Sequence, residues 1–318
     1  MTAVFWAAAA LAAAFTVVRV LGAERGTPLV QLVSYTPYAA LAALVAGAAV
    51  AFLALLPGLV LLACGAVLAA LVVPRLVPPP VPRDGVRLRV MCANLLFGRN
   101  ATLAFVDQLK IDDVDVLAVQ ELTDEGLAAL DDAGIDALLP HRVVSTAPGG
   151  GGSGLFSRHP IEDPAARSLD DIPMQQTAAT VHVPGAGPVL IESAHPYPPR
   201  QGRVRIWQQQ IATQAVPSAL GPPRVLLGDF NATLDHAALR QLLRAGYRDA
   251  AAERGRGLAA TWPYKTETLP FWTPPITLDH VLIDARIGVR EYGTRPAGES
   301  DHRPVVAELV LPAGFYAG

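Results

Sequence analysis

Charge is missing from a long stretch near the start of this chain. Residues 26–74 contain no Asp, Glu, Lys or Arg, although charged residues are frequent after Arg83. A run of that length, rich in Ala, Leu and Val, has no polar face to offer water, which excludes a surface helix of a soluble domain. Cysteine is nearly missing as well. Cys64 lies in the apolar region and Cys92 beyond it, so a disulfide framework is excluded. Neither has a His or Cys at metal-ligand spacing, and both read as ordinary buried residues. A basic excess is also lacking. From residue 86 onward, 21 Lys and Arg face 26 Asp and Glu, a balance of −5. Proteins that grip nucleic acid without sequence preference present a basic face, because affinity grows with each phosphate neutralised, so duplex DNA is a disfavoured partner.

What is present divides the chain. Residues 2–21 are apolar except Arg19, which lies near enough to the end to place its head group at an interface. A hydrocarbon core takes about 20 apolar residues, and residues 37–73 supply nearly twice that, interrupted by Pro57-Gly58. The expectation is three transmembrane helices within residues 1–75. A cleaved signal peptide is disfavoured, since no basic residue precedes the first run and more hydrophobic sequence follows. The VPPPVP stretch at 77–82 cannot propagate a helix, so residues 76–85 read as a stiff Pro-rich linker. Residues 86–318 then read as a separate domain, expected to be tied through the helices before it to the lipid bilayer.

In that domain, short aliphatic runs alternate with helical patterns. Strands are predicted at 87–93, 116–119, 155–157, 178–183, 189–193, 225–227, 280–283 and 305–310, and helices at 102–109, 124–133, 203–216 and 236–245. Such a mixture implies sheets covered by helices. Gly149 to Gly152 invite comparison with a phosphate-cradling loop, but such a loop needs Gly-Lys-Ser/Thr opening a helix. Here Leu-Phe-Ser follows, so a flexible surface loop is expected.

Polar residues stand just past the ends of the apolar strands. Asn94 follows Val-Met-Cys-Ala, Glu121 follows Leu-Ala-Val-Gln, His195 follows Ile-Glu-Ser-Ala, and Asp229 and Asn231 follow Val-Leu-Leu-Gly. Asp279-His280 enters a strand and Ser300-Asp301-His302 precedes the last. Taken singly each string is commonplace: Gly-Asp-Phe-Asn is a frequent turn and an isolated His is usually structural. As an ordered set they are specific. Asn94, Gln120-Glu121, Ser157-Arg158-His159-Pro160-Ile161, His195, Gly228-Asp229-Phe230-Asn231, Leu278-Asp279-His280 and Ser300-Asp301-His302 resemble the endonuclease/exonuclease/phosphatase family over residues 86–311.

That resemblance implies an α+β fold, a four-layer α/β/β/α sandwich with a metal site at one end of its sheets. It implies that Asn94 and Glu121 hold Mg²⁺ or Mn²⁺ with Asp301 nearby, since oxygen ligands suit these hard cations. It gives Asp229 the attacking water and Asn231 a nonbridging phosphate oxygen. His302 pairs with Asp279 and acts either as base or as phosphate-binding cation, and His195 donates a hydrogen bond to the phosphate. His159, His182, His236 and His280 match no such position and read as surface or packing residues. Arg158 is expected to brace the site loop, Thr261-Trp262 to pack, and Phe271 and Trp272 to line the substrate entrance.

The family includes nucleases, phosphatases and phospholipases, so the fold does not name the substrate. An anchor raises the local concentration of a membrane-surface substrate, which favours a phosphomonoester, phosphodiester or lipid-linked phosphate over nucleic acid. A DNA endonuclease or exonuclease and a non-catalytic head-group-binding membrane protein are the alternatives. Orientation is contested. Arg19, Arg25, Arg75, Arg83, Arg87 and Arg89 flank the apolar runs and by the positive-inside rule place the domain in the cytoplasm. The layout also resembles bacterial membrane enzymes associated with glycopeptide resistance, which implies an extracytoplasmic domain, and that assignment is adopted. It predicts that alkaline phosphatase fused after Gly318 is active in cells. A silent alkaline phosphatase beside an active cytoplasmic reporter would reverse it.

Overall fold

The structure, a computed structural model, describes residues 1–81, 84–168, 172, 174–264, 270 and 272–313. Leu88, Val90, Met91, Cys92 and Ala93 are all buried, so the strand that carries them has no face left for water and must be covered on both sides. Two six-stranded mixed sheets meet that requirement. Numbered along the chain, the first contains β1 (Val86–Asn94), β2 (Val116–Gln120), β3 (His141–Ser145), β4 (Ser153–Ser157), β11 (Gly288–Thr294) and β12 (Val305–Leu311), in the order β11-β12-β1-β2-β4-β3. The second contains β5 (Ile161–Ser168), β6 (Gln175–Val183), β7 (Gly187–Ala194), β8 (Arg224–Asp229), β9 (Tyr247–Asp249) and β10 (Asp279–Asp284), in the order β5-β6-β7-β8-β10-β9.

Leu88, Val90 and Cys92 from one sheet interleave with Ile191, Leu227 and Val281 from the other in the central core. The opposite face of the first sheet packs against α5 (Leu103–Ile111) and α6 (Asp124–Asp132) through Phe105, Leu109 and Leu130. The second is covered by α7 (Val204–Ala212) and α8 (Ala237–Arg244), with Trp207 and Leu239 buried against Leu226 and Leu282. The expected sandwich is therefore present. Thr102 and Thr123 cap α5 and α6, each accepting a hydrogen bond from the third backbone N–H beyond it.

The eight predicted strands are β1, β2, β4, β6, β7, β8, β10 and β12. The four that went unpredicted, β3, β5, β9 and β11, are the outer strands of both sheets. The Gly149–Gly151 segment differs from its expectation. It forms a short 3₁₀ turn, Gly151 and Gly152 are buried, and the Leu122 amide donates to the Gly152 carbonyl, so this loop is packed against the sandwich.

Ahead of the sandwich, α1 (Thr2–Leu21), α2 (Leu29–Val33), α3 (Thr36–Ala51) and α4 (Leu55–Val72) form an apolar helical region. Among the described residues two helical stretches, Thr2–Leu21 and Leu55–Leu76, are long and apolar enough to cross a membrane, whereas Thr36–Ala51 has 16 residues. The three expected spans thus become two of sufficient length and one short apolar helix. The expected break at Pro57-Gly58 lies instead at 52–54. Pro57 occupies the first turn of α4, where its missing N–H has no helical acceptor to lose, and Gly58 lets α4 approach α3: a Cβ there would stand 2.5 Å from the Ala51 Cα.

These helices do not hang from a spacer. Arg19, at the end of α1, and Arg75, just past α4, both bind Asp235 of the sandwich, at 2.7 and 2.6 Å, with all three side chains largely buried. Glu24 accepts from the Ala237 amide at the start of α8, His236 Nε2 bonds the Val30 carbonyl at 2.8 Å, and Arg254 donates to the Pro79 carbonyl at 2.7 Å. The Pro-rich stretch, of which 82–83 fall outside the described residues, runs along the domain. Removing one member of a buried ion pair strands its partners' charge. Asp235→Asn is therefore expected to cost roughly 3 kcal/mol or more and to lower the thermal unfolding midpoint of the full-length chain. An unchanged midpoint would contradict this role.

Candidate active site

β1 and β2 are parallel, as are β7 and β8, and β10 and β12 run antiparallel to their neighbours. The residues that end the first four strands and begin the last two therefore share one edge of the sandwich. Asn94 stands beside Gln120 in register, and Asp229 beside Asp279. His195 directly follows β7. The Ser300-Asp301-His302 turn leads into β12 and is tied to β1 by Ser300 Oγ, which donates to the Asn94 carbonyl at 2.8 Å and accepts from the His302 amide at 3.1 Å.

The geometry at this edge is dense. Asn94 Nδ2 donates to Glu121 Oε1 at 2.9 Å and to Asp229 Oδ2 at 3.2 Å, and its Oδ1 accepts from the Leu96 amide at 2.9 Å. Glu121 Oε2 accepts from the Phe97 amide at 3.0 Å. Asp229 Oδ1 accepts from the Asn231 amide at 2.8 Å, while its Oδ2 lies 3.7 Å from His195 Nε2 and 3.6 Å from His302 Nε2. His302 Nδ1 and Asp279 Oδ2 are 2.9 Å apart. Asn231 Nδ2 donates to the Pro196 carbonyl at 3.1 Å, which leaves its second N–H to the cleft. Asp301 Oδ2 accepts from Trp262 Nε1 at 3.1 Å.

Strain gathers at the same edge. Leu96, Phe97, Glu121 and Asn231 all have left-handed backbones, with φ of 47, 55, 60 and 49°. Each such residue costs energy that the surrounding structure must offset, as is common where side chains are held for chemistry. Gly228 has no alternative, because with φ 148° a Cβ would stand 2.0 Å from the Ala194 carbonyl oxygen of the neighbouring strand.

Burial and charge set the protonation states. Burial pushes Asp229 and Glu121 above the ordinary carboxylate range. For Asp229 the nearby His302 charge opposes the rise, and for Glu121 the Asn94 hydrogen bond does so. Burial acts the same way on Asp279, but the charge and hydrogen bond of His302 prevail and hold it below that range. His195 is lowered by burial. For His302, burial is outweighed by Asp279 and Asp229, which raise it to about 10.

Asp229, Asp279 and His302 each offer a ligand atom, and these atoms lie within 4.8 Å of one another. Asp279 Oδ1 is buried with no hydrogen-bond partner among the described residues. An orphaned carboxylate oxygen among carboxylates whose ionisation burial resists fits a hard divalent cation. Glu121, linked to this group through Asn94, and Asp301 flank it.

The cleft over these groups has a volume of about 740 Å³. One wall was invisible in the sequence. Val30, Gln31, Ser34 and Tyr35 from the helical region line it, facing His195, Tyr197 and Arg200. Gln31 Nε2 donates to the Pro199 carbonyl at 2.6 Å. Nothing in residues 29–35 marked them as part of a site, because apolar sequence next to membrane-like helices gives no polar signal. Thr261 and Trp262 were expected to pack, but the Thr261 hydroxyl accepts from the Leu278 and Asp279 amides at 3.0 and 3.2 Å, and Trp262 holds Asp301. Gln120 also went unassigned. It donates to Ser193 Oγ at 2.9 Å and joins the two sheets below the site.

Arg158 is elsewhere. It pairs with Asp113 and Asp115 at 2.9 and 3.1 Å, at the far edge where β2 begins, and does not brace this site. Trp272 does not line the cleft, and Phe271 lies outside the described residues. His236 and His280 are buried and bonded to backbone carbonyls, and His182 is half-buried beside Glu162.

A sequence profile described as "Endonuclease/Exonuclease/phosphatase family" matches residues 91–302, about two thirds of the chain. Comparison with curated proteins returned no match. Among solved structures the fold is similar to a humanised D. rerio TDP2 carrying 14 mutations, with a TM-score of 0.59 and 14% identity over 70% of this chain and 98% of that one. An endonuclease/exonuclease/phosphatase from Beutenbergia cavernae gives 0.56 and 18% over 71% and 72%. A Bacteroides thetaiotaomicron protein of the same description gives 0.51 and 18% over 72% and 99%. At such identities the likeness speaks to fold alone.

The His302 shift has a measurable sign. Its contribution to stability is full below the ordinary histidine value of 6.5 and is lost as pH rises through about 10. With chelator present, the thermal midpoint of the wild-type chain should fall between those limits more steeply than that of His302→Asn. Parallel profiles would show that His302 is not held as a cation.

Proposed function

The chain belongs to the endonuclease/exonuclease/phosphatase family, and on that ground we propose that it is a membrane-anchored, divalent-metal-dependent phosphoesterase. The observation that carries this reading is the convergence of three buried groups, Asp229 and His302 at the floor of one cleft and Asp279 directly behind His302. Glu121, with Asn94 and Asp301 beside it, and the carboxylate oxygens of Asp229 and Asp279 are the groups that would hold Mg²⁺ or Mn²⁺. Such an ion supplies shielding of phosphate charge and acidifies water.

The chain's own groups divide the remaining work. Asp229, with one oxygen fixed by the Asn231 amide and the other facing His195 and His302, orients the attacking water and accepts its proton. His302, kept protonated by Asp279 and Asp229, serves as a cation for the phosphate rather than as the base. The second amide N–H of Asn231 is placed for a nonbridging oxygen. His195, its charged form disfavoured by burial, donates a neutral hydrogen bond to the phosphate. Asp279 fixes the ring of His302, and Thr261 fixes the backbone of Asp279.

Anchoring is supported by the two long apolar helices and by the short one packed against α4. In this reading the substrate is a phosphomonoester, a phosphodiester or a lipid-linked phosphate at the membrane surface, and the domain is extracytoplasmic. The full-length chain in lipid nanodiscs is expected to release p-nitrophenol from bis(p-nitrophenyl) phosphate with Mg²⁺ or Mn²⁺ and to stop on chelation. Asp229→Ala and His302→Ala should each lose about 10²–10⁴-fold in rate. No turnover with any divalent metal would instead favour a head-group-binding protein.

A further inference from the structure

Beside the cleft lies a second hollow of about 260 Å³. Pro37 and Leu41 of α3 form one wall, and Leu234, Leu258, Pro275 and Ile276 of the sandwich form the other. Arg75 and Asp235 also line it, and their pairing at 2.6 Å turns the Arg75 head group onto Asp235 rather than leaving it free in the apolar lining. Ser34 and Ile276 belong to both this groove and the cleft, so the two are contiguous. Tyr38 Oη donates to the Pro275 carbonyl at 2.7 Å and holds the two walls together.

The other side of the groove meets the apolar helices. Leu41 is 63% exposed, and Val45, one turn further along α3, is equally so. An apolar surface thus continues from the flank of α3 through Leu41 into the groove, and by way of Ile276 into the cleft that holds Asp301 and His302. A hydrocarbon channel joined to a cleft lined by Arg200 and by metal-ligating carboxylates has the two-part chemistry of an amphiphile, a long chain carrying a phosphate.

We propose that this groove binds the hydrocarbon chain of a phosphorylated amphiphile whose head reaches the cleft. The inference rests on the phosphoesterase reading and narrows its substrate class to phosphate esters of long-chain lipids. The chain enters from the bilayer along Leu41, and the ester bond reaches Asp229 without leaving the membrane surface. Each methylene taken into the groove tightens binding about fourfold.

The test uses the full-length chain in nanodiscs, with bis(p-nitrophenyl) phosphate as reporter and butyl, octyl and dodecyl phosphate as inhibitors. Dodecyl phosphate is expected to inhibit at least about 30-fold more tightly than butyl phosphate, the gain of a few buried methylenes. Leu258→Trp, which fills the groove, should shrink that ratio to about threefold or less. A ratio unchanged in the variant would assign the chain-length effect to partition into lipid and overturn the proposal. A second measurement needs neither a variant nor turnover. A dodecyl phosphate bearing a chain diazirine should crosslink to residues 37–41, 258 and 275–276, and excess dodecyl phosphate should suppress the labelling. Label confined to the outer faces of α1 and α4 would also overturn it. Crosslinking at the groove in a chain that hydrolyses nothing would reject the phosphoesterase reading and keep the groove. Turnover without chain-length dependence would do the reverse.

Discussion

Burial of Glu121, Asp229 and Asp279 at one edge of the sandwich is the condition around which this protein is arranged. Strands from two separate sheets deliver these carboxylates to one edge, where little water reaches them, and each added negative charge makes the next harder to keep. The structure answers with donors. Asn94 stands between Glu121 and Asp229, His302 lies against Asp279 and near Asp229, and the Phe97 and Asn231 amides turn inward from left-handed backbones. The compensation is uneven. Asp279 is satisfied at one oxygen and ionised, whereas burial still resists charge on Asp229 and Glu121. This residual demand for positive charge is the physical content of a cation site, and it arises from the scaffold before any ion arrives.

Legibility in the sequence followed burial. Every strand with neighbours on both sides could be read, because nearly all are runs of β-branched and aliphatic residues flanked by turn signals, β4 (SGLFS) being marked by Leu-Phe after a glycine run. The four sheet edges could not. β5 reads IEDPAARS and lies mostly exposed, β11 carries two glycines with Arg and Glu between them, and β9 has three residues. Polar residues, proline and short length are how sheet edges avoid pairing with other chains, and the same devices erase the pattern by which strands are recognised. The polar residues at strand ends were legible for the converse reason, since each interrupts an apolar run at a fixed place. The cleft wall from residues 30–35 was not, because its contribution depends on where a helical region docks.

That docking also bears on orientation. Six arginines flank the apolar runs, and their number argues for a cytoplasmic domain. Two of them, Arg19 and Arg75, have a structural partner in Asp235, and Arg89 and Arg87 pair with acidic residues of β11 and β12 or with Asp113. Their positions are explained by contacts within the folded chain, which weakens them as markers of membrane side.

Asp235 sits four residues beyond the Gly-Asp-Phe-Asn motif and pairs with two arginines that are 56 residues apart in sequence, Arg19 and Arg75. Evolution therefore has little freedom to shuffle the parts of this chain. A recombination that supplied a foreign helical region would bring helices without matching arginines, and one that freed the sandwich would leave Asp235 unpaired and the residues that pack on Val30 uncovered. Positions 19, 75 and 235 are bound to a shared history: among relatives built this way they should change as a set, so that helical region and sandwich descend as one heritable unit rather than as interchangeable parts.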